Sequence, residues 1–364
     1  MSLSSLSDTV KKIALELGFD LAGIAGVGDF NELARFPEWI AQGRAGDMHY
    51  LETRNEAGDL KRAALRNTAP WAKSVIVVAI NYNSAEPYST DTQDLTKGWI
   101  SRYAWSRRDY HDVILEKLRT LETEVAALAK GAGEEFRSWC YVDTGPLVER
   151  IYAKYAGIGW IGKNTCILNQ ELGSWLFLGV ILTSLPLIPD LPAPDRCGSC
   201  TACLDACPTD AFPAPYELDP TRCISYLTIE KRGALPEELR AGMGRQVFGC
   251  DICQDVCPWN RKAPAGKEPE LAARKELVNP ALEWLASLGP EEFREAFRKS
   301  PIKRAKLSGL RRNVVTAMGN GGRLEFAPTL RRLVHDEDAA VAEHARWALQ
   351  RLETKADDEH GKEK

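Results

Sequence analysis

Apolar positions along the chain separate into two periods. Val10, Ile13, Ala14 and Leu17 share one face at helical spacing and predict a helix over 4–17. FDLAGIAGV (19–27) and the β-branched SVIVVAINY (74–82) are short apolar runs, and both predict buried strands. The intervening 31–66 is charged, with a mixed helical pattern, and 83–98 reads as a loop rich in Ser, Thr, Asp and Pro. ISRYAWSRRDYH (100–111) is aromatic and basic. A long amphipathic helix follows from Asp112 to Lys130, ended by Gly131. FRSWCYVDTGP (136–146) predicts a strand running into a turn, 147–156 a helix, GIGWIGKN (157–164) a glycine-rich loop, and SWLFLGVILTSL (174–185) a further strand. This alternation predicts an α/β or α+β domain over 1–190. Pro186, Pro189, Pro192 and Pro194 form a linker out of it. From about Glu270 to Glu353 only helical periodicity is present. The segments 310–320 and 343–352 carry Arg and Ala at helical positions, as short HEAT-like repeats do, so 263–353 reads as an α-helical region docked on the rest. The charged residues 354–364 predict a disordered tail.

Eight of the ten cysteines fall between Cys197 and Pro258. Cys197, Cys200, Cys203 and Cys207, followed by Pro208, have the C-x2-C-x2-C-x3-C-P spacing of bacterial ferredoxins, in which three thiolates hold one [4Fe–4S] cluster and the fourth reaches to the other. Cys223, Cys250, Cys253 and Cys257, followed by Pro258, form the second group. By the same crossing, Cys257 completes the cluster of Cys197, Cys200 and Cys203, while Cys207 joins Cys223, Cys250 and Cys253. Structural zinc uses two separated pairs of ligands, and disulfides need an oxidising compartment. Four cysteines within eleven residues and a repeated Cys-Pro ending fit neither. The ferredoxin-like module therefore spans 191–262, with an insert, 224–249, between Cys223 and Cys250 whose ends must lie against one cluster.

The chain has 364 residues and a net charge of −4, which excludes general attraction to nucleic acid. Its N-terminus lacks the apolar stretch of a signal peptide, and no run approaches the ~18 apolar residues of a membrane span. A cytoplasmic protein is expected. One segment stands apart: 294–332 holds eleven Lys or Arg against two Glu. Such an excess in an acidic chain points to an anionic partner. Lys303, Arg304, Lys306, Arg311 and Arg312 are the residues expected to hold phosphates.

Asp143 and Thr144 precede the 147–156 helix, and their spacing alone reads as an N-cap. Gly157, Gly159 and Gly162 match G-x-G-x-x-G, but they follow a helix and precede a strand, so a dinucleotide site is excluded. Close approach to another ligand and plain turn chemistry both remain open. Cys140 and Cys166 read as core thiols, and His111 as a partner of Asp109.

SRYAWSRRDYH, YVDTGPLVER, AGIGWIGKNT, CGSCTACLDACPT, RCISYLTIE and FGCDICQDVCPWNR together resemble the epoxyqueuosine reductases, the cobalamin and iron–sulfur enzymes of queuosine formation in tRNA. The resemblance covers nearly the whole chain. It implies a cobalamin-binding N-terminal domain related to that of reductive dehalogenases, two [4Fe–4S] clusters, and C-terminal HEAT-like helices. The implied proton donor is Asp143, in place of a plain cap. The implied cobalamin contacts are Arg62, Ser101, Arg102, Tyr103, Asp143, Lys163, Asn164, Ile167 and Leu178. Two departures are present: Ser106–His111 is one residue longer than the family's G-R-D-Y-H, and R-x-D-P-R is reduced to Arg62-Ala63-Ala64-Leu65-Arg66. No D-x-H-x-x-G motif supplies a histidine to cobalt, so base-off binding is expected. The implied substrate is tRNA carrying epoxyqueuosine in its anticodon loop, and the implied electron donor a flavodoxin or ferredoxin, with the chain acting as a monomer. A corrinoid reductase of small molecules, such as a dehalogenase, is the alternative, and it would need no basic helical tail. A plain electron carrier would need no Asp143, and a tRNA-binding protein without catalysis no clusters.

Overall fold

The computed structural model describes residues 3–362, with side chains through 354. Its central sheet has the order β1 (Leu21–Gly26), β2 (Ser74–Asn81), β7 (Leu176–Thr183), β4 (Ser138–Tyr141), and every pair is antiparallel. Of the two sequence expectations, this is the α+β one. The continuous apolar runs of β2 and β7 arise because both sheet faces are covered. Ile76, Val78, Ile80, Phe177 and Ile181 point into a core closed by helices α1 (Leu3–Glu16) and α2 (Tyr110–Gly131). Val75, Val77, Ala79, Val180 and Leu182 point to the other face, covered by helix α3 (Glu149–Tyr155).

The third core crosses the expected boundaries. Strand β3 (Trp99–Ile100) pairs in parallel with β8 (Gln246–Phe248), which lies in the insert between the cluster cysteines. Trp99, Ile100, Trp105, Val247 and Phe248 pack with Phe297, Leu310, Val314 and Phe326 of the C-terminal region. Residues 97–106 are thus enclosed by the last third of the chain, and Arg274 N–H donates to Trp105 O while Gly98 N–H donates to Pro280 O. The insert also forms helix α4 (Ile224–Ile229), which packs against helix α5 (Lys306–Gly321).

The C-terminal region is helical, as its periodicity predicts. Helix α5 packs along helix α7 (Ala339–Lys362), and helix α6 (Ala327–Leu333) joins them; the segments 310–320 and 343–352 therefore cover each other. A side chain at Gly319 would collide with Ala348, so glycine sets the close approach of α5 and α7. Residues 354–362, expected in a disordered tail, continue α7; their Ala, Glu, Lys and Asp hold a helix once α7 is nucleated on α5. Residues 363–364 of that expectation lie outside the described residues.

Candidate active site

The module at 196–260 is built on two short helices, Ala202–Asp205 and Ile252–Asp255, packed against each other. Each carries the third cysteine of a ferredoxin-type loop or its equivalent. Cys203 interacts with Cys257, Cys197 and Cys200, whereas Cys250 interacts with Cys223 and Cys207; Cys253 is hydrogen-bonded first to Cys166, which is thus more than a core thiol, and interacts with Cys250 and Cys223. Burial and then the neighbouring thiolates push Cys203 up to about 11, and burial pushes Cys257 up to about 11 as well. The thiols are thus held close enough for each to oppose ionisation of the others. The backbone supplies the second requirement of such a centre, N–H groups aimed at sulfur: Ala211 N lies 3.3 Å from Cys207 Sγ, and N–H groups of Ser225, Ile252 and Trp259 donate to Cys223, Cys250 and Cys257. The donor set fits two iron–sulfur clusters. Cys200 is exposed, and Cys257 is buried against Trp160 and Leu168.

The glycine-rich hairpin β5 (Trp160–Ile161) and β6 (Ile167–Leu168) holds this module. Lys163 Nζ donates to Gly198 O at 2.7 Å and Cys200 O at 2.9 Å, and Asn164 Nδ2 donates to Cys253 O at 3.3 Å. Both side chains are therefore engaged by the cluster loops. Side chains at Gly159 or Gly162 would strike Leu168, so those glycines serve the hairpin's own packing. Of the two readings left open for this motif, turn chemistry is the one the packing fits.

Strand β4 ends at Tyr141, and the chain turns through Asp143, whose φ of +57° is left-handed backbone that Asp tolerates better than most residues. The cap expectation does not hold. Helix α3 begins at Glu149 with Val148 as its N-cap and no side-chain cap bond. The Asp143 carboxylate instead accepts a 3.0 Å hydrogen bond from Tyr110 Oη. His111 Nε2 stands 4.0 Å from Asp143 Oδ2, and its Nδ1 lies 2.7 Å from Asp109 Oδ1, as the sequence predicts for that pair. Asp109 in turn caps α2 by accepting from His111 N–H. Burial and then Asp143 push the Tyr110 phenol well above its usual range, so Tyr110 remains a donor. The Asp143 side chain is 66% exposed, which leaves it open to a ligand.

Around this carboxylate stand residues from three regions. Arg62 donates to Tyr50 O at 2.6 Å and to Gly145 O at 2.9 Å, which ties the 49–52 turn to the Asp143 turn. Arg304, from the C-terminal region, pairs with Glu230 of the insert at 2.6 Å and lies over the Tyr50 ring at 5.4 Å. Against the cost of burial, Glu230 and then Tyr50 and Asp143 favour its charged form. Tyr103 is packed at a right angle to Tyr110 with ring centroids 6.0 Å apart. Ser101 and Arg102 are hydrogen-bonded within the chain. Ser101 Oγ and Arg102 N–H donate to buried Asp251, between the cluster ligands Cys250 and Cys253, and the Arg102 guanidinium donates to Ser84 O, Glu86 O and Pro87 O between Tyr88, Trp105 and Trp175. Both residues fasten the cluster loop to the first domain. Leu176, Leu178 and Tyr141 are half-buried and pack against the core under α3, of which buried Ile167 is also part.

The basic residues divide. Arg312 is 2% exposed and donates to Leu227 O, Lys231 O and Gly233 O, closing the end of α4. Arg311 pairs with Asp336 at 2.9 Å and donates to Leu288 O. Neither guanidinium is available to a phosphate, which corrects the sequence expectation for this pair. Lys303, Arg304 and Lys306 are exposed. Tyr50, Tyr110, Glu149 and Glu230 were missed as site residues. Tyr110, Glu149 and Glu230 lie inside distinctive motifs and could have been singled out; Tyr50 sits in an irregular stretch with no signal.

Two groups of four cysteines on one module, beside a separate exposed carboxylate held by Tyr110, define a two-cluster iron–sulfur protein with a further candidate site. Residues 196–260 match the 4Fe-4S double cluster binding domain, and residues 62–144 match the family described as "Epoxyqueuosine reductase QueG, DUF1730". The epoxyqueuosine reductase of Xanthomonas campestris pv. campestris is 38% identical over 344 residues, 93% of this chain and 94% of that protein. A crystal structure of epoxyqueuosine reductase with a tRNA-Tyr epoxyqueuosine-modified stem loop superposes with a TM-score of 0.82 at 32% identity, covering 96% of this chain and 91% of that one. The Bacillus subtilis enzyme, in a structure with its catalytic aspartate loop swung out of the active site, gives 0.83 at 32% identity over the same shares. The chain belongs to the epoxyqueuosine reductase family.

Proposed function

We infer that this chain reduces epoxyqueuosine to queuosine in the anticodon loop of tRNA, with two [4Fe–4S] clusters and a cobalamin. The family membership supplies the reaction, and one observation carries its chemistry: the Asp143 carboxyl, open to a ligand and fixed by Tyr110, at the end of the sheet nearest the cluster-bound hairpin.

A cobalamin would be held on the half-buried apolar side chains Leu176, Leu178 and Tyr141 by packing and backbone contacts. When bound and reduced, it supplies an electron-rich metal centre able to open a strained C–O bond. Ile167 and Leu178 would hold it by contact, and Tyr103 would wall it. Lys163, Asn164, Ser101 and Arg102 act at one remove, by holding the cluster loops. The chain's own residues then do the rest. Asp143 carries the proton for the departing oxygen, Tyr110 and His111 fix its orientation, and Arg62 holds its turn. Lys303, Arg304 and Lys306 receive the phosphates of the anticodon arm, with the wobble base entering past Tyr50 and Glu230. A small-molecule reductase would have no use for these exposed cations at the cleft. An external one-electron donor, a flavodoxin or ferredoxin, supplies the clusters.

Expression in a bacterium lacking its epoxyqueuosine reductase tests this reading. Queuosine should return to the tRNA; persistence of epoxyqueuosine would contradict the proposal.

A further inference from the structure

Asp143 and Glu149 stand at the two ends of one turn, in the motif Val-Asp-Thr-Gly-Pro-Leu-Val-Glu. Asp143 is exposed, whereas the Glu149 carboxyl is enclosed and feels the Asp143 charge. Glu149 Oε1 is buried and has no hydrogen-bond partner. The carboxyl accepts a hydrogen bond from its own backbone N–H, and no ion pair joins it among the described residues, so a carboxylate so placed lacks the pairing that buried charge requires. The position is therefore suited to a carboxylic acid, which carries its own proton.

The groups facing Glu149 agree. Burial and then Asp143 oppose its ionisation, while its own backbone N–H and then Arg62 and Arg150 favour it, and the balance pushes Glu149 up to about 8. Strands β1, β2, β5, β6 and β7, which pack on helix α3, carry no titratable side chain. Arg62 is committed to Tyr50 O and Gly145 O, so it steadies the turn between the two carboxyls and does not pair with either.

We propose that Glu149 is a second proton carrier for the reaction, placed to return a proton to Asp143 once Asp143 has given its own to the departing oxygen. This rests on the reading of Asp143 as the general acid. Reduction of an epoxide to an alkene breaks both C–O bonds and forms one C=C π bond. It consumes two electrons, from the external one-electron donor through the clusters, and two protons, and the oxygen leaves as water. One exposed carboxyl holds one proton. A buried carboxyl behind it supplies the second without waiting for bulk water to enter a cleft filled by cofactor and base. Both are recharged from solvent between turnovers. Glu149 touches no reacting atom and acts through Asp143, as a positioning and proton-holding residue.

The test uses Glu149→Gln, which keeps shape and removes titration, with Glu149→Asp as the conservative partner. In the fully loaded enzyme, single turnover of an epoxyqueuosine stem loop should slow roughly tenfold in Glu149→Gln at neutral pH, less than the 10²–10⁴ of a direct acid. The alkaline fall in rate near pH 8 should vanish, KM should stay unchanged, and Glu149→Asp should recover part of the rate. A separate readout needs no cobalamin: infrared titration of the chain should show a protonated-carboxyl stretch at pH 7 that is lost above pH 8 and is missing in Glu149→Gln. No such band, or a parental rate and pH profile in Glu149→Gln, overturns the proposal. Full turnover by Asp143→Asn would remove the acid that Glu149 serves and overturn the reading of Asp143 itself. A normal loss there beside an unchanged Glu149→Gln profile overturns the present proposal alone.

Discussion

The phenolic hydrogen of Tyr110 points at Asp143 Oδ2 across 3.0 Å, from the first turn of α2 to the turn after β4. Tyr110 is itself stacked on Phe177 of β7 with ring centroids 4.1 Å apart and planes within 2°. The sheet core thereby fixes the direction of an otherwise exposed carboxyl.

Replacing Asp143 by Asn should leave the melting temperature unchanged, because Val148 and not Asp143 stands at the N-cap of α3 and Asn tolerates the left-handed backbone. Turnover should fall roughly 10²–10⁴-fold. Tyr110→Phe should cost less, about tenfold, with the proton retained but its direction loosened. Single-turnover rates beside melting curves check both; equal losses in the two variants would remove the distinction.

Cys203→Ala and Cys253→Ala should each lose one cluster, leaving about four irons per chain. Lys163→Met is the finer test. Its ammonium is bound to Gly198 O and Cys200 O, so its loss should labilise the cluster of Cys197, Cys200, Cys203 and Cys257 and spare the other. Iron analysis with electron paramagnetic resonance distinguishes the two sites.

Arg312→Ala should destabilise the fold by about 3 kcal/mol, since three carbonyls lose a buried charged donor. Lys303→Glu with Lys306→Glu should leave the melting curve alone, weaken tRNA binding, and lower the slope of log affinity against log salt by roughly 0.7 per lost single-strand contact. Filter binding at several salt concentrations checks the slope.

His344 is buried between α5 and the insert, where Leu235 N–H donates to its Nε2. Burial, then the Arg240 and Arg312 guanidiniums, push it down to about 3. The folded group binds its proton far less readily than the unfolded one, at its ordinary 6.5. The associated stability is therefore complete above pH 6.5 and lost as pH falls towards 3. Between pH 6.5 and 5 the loss should be about 2 kcal/mol. Denaturant melts of the parent and His344→Gln at the two pH values test it, the variant losing that part of the slope.

The cluster cysteines were legible because cubane ligation is written in short spacings within one strand of chain. The strands were legible as buried runs, but their direction was not: Val75–Ile80 and Leu178–Leu182 look the same in either sense when both faces are covered. Arg311 and Arg312 show the limit of counting charge. The sequence gives two more cations in a basic run, while the fold turns one onto Asp336 and the other onto the carbonyls of α4. Asp143 ahead of a helix has the residue type of a cap; only the start of α3 at Glu149 removes that reading. Likewise Ser101 and Arg102 are recognisable as important, but their partner Asp251 lies about 150 residues away and no local pattern announces it.

The central claim is that this chain delivers two electrons and two protons to an epoxide in tRNA. Nucleoside analysis of epoxyqueuosine-bearing tRNA tests it most directly, after anaerobic incubation with the cluster-loaded, cobalamin-supplied protein and a low-potential donor. The account predicts conversion to queuosine by the parent chain and retained epoxyqueuosine with Asp143→Asn. Unconverted epoxyqueuosine with the parent, clusters and cobalamin both in place, would contradict it.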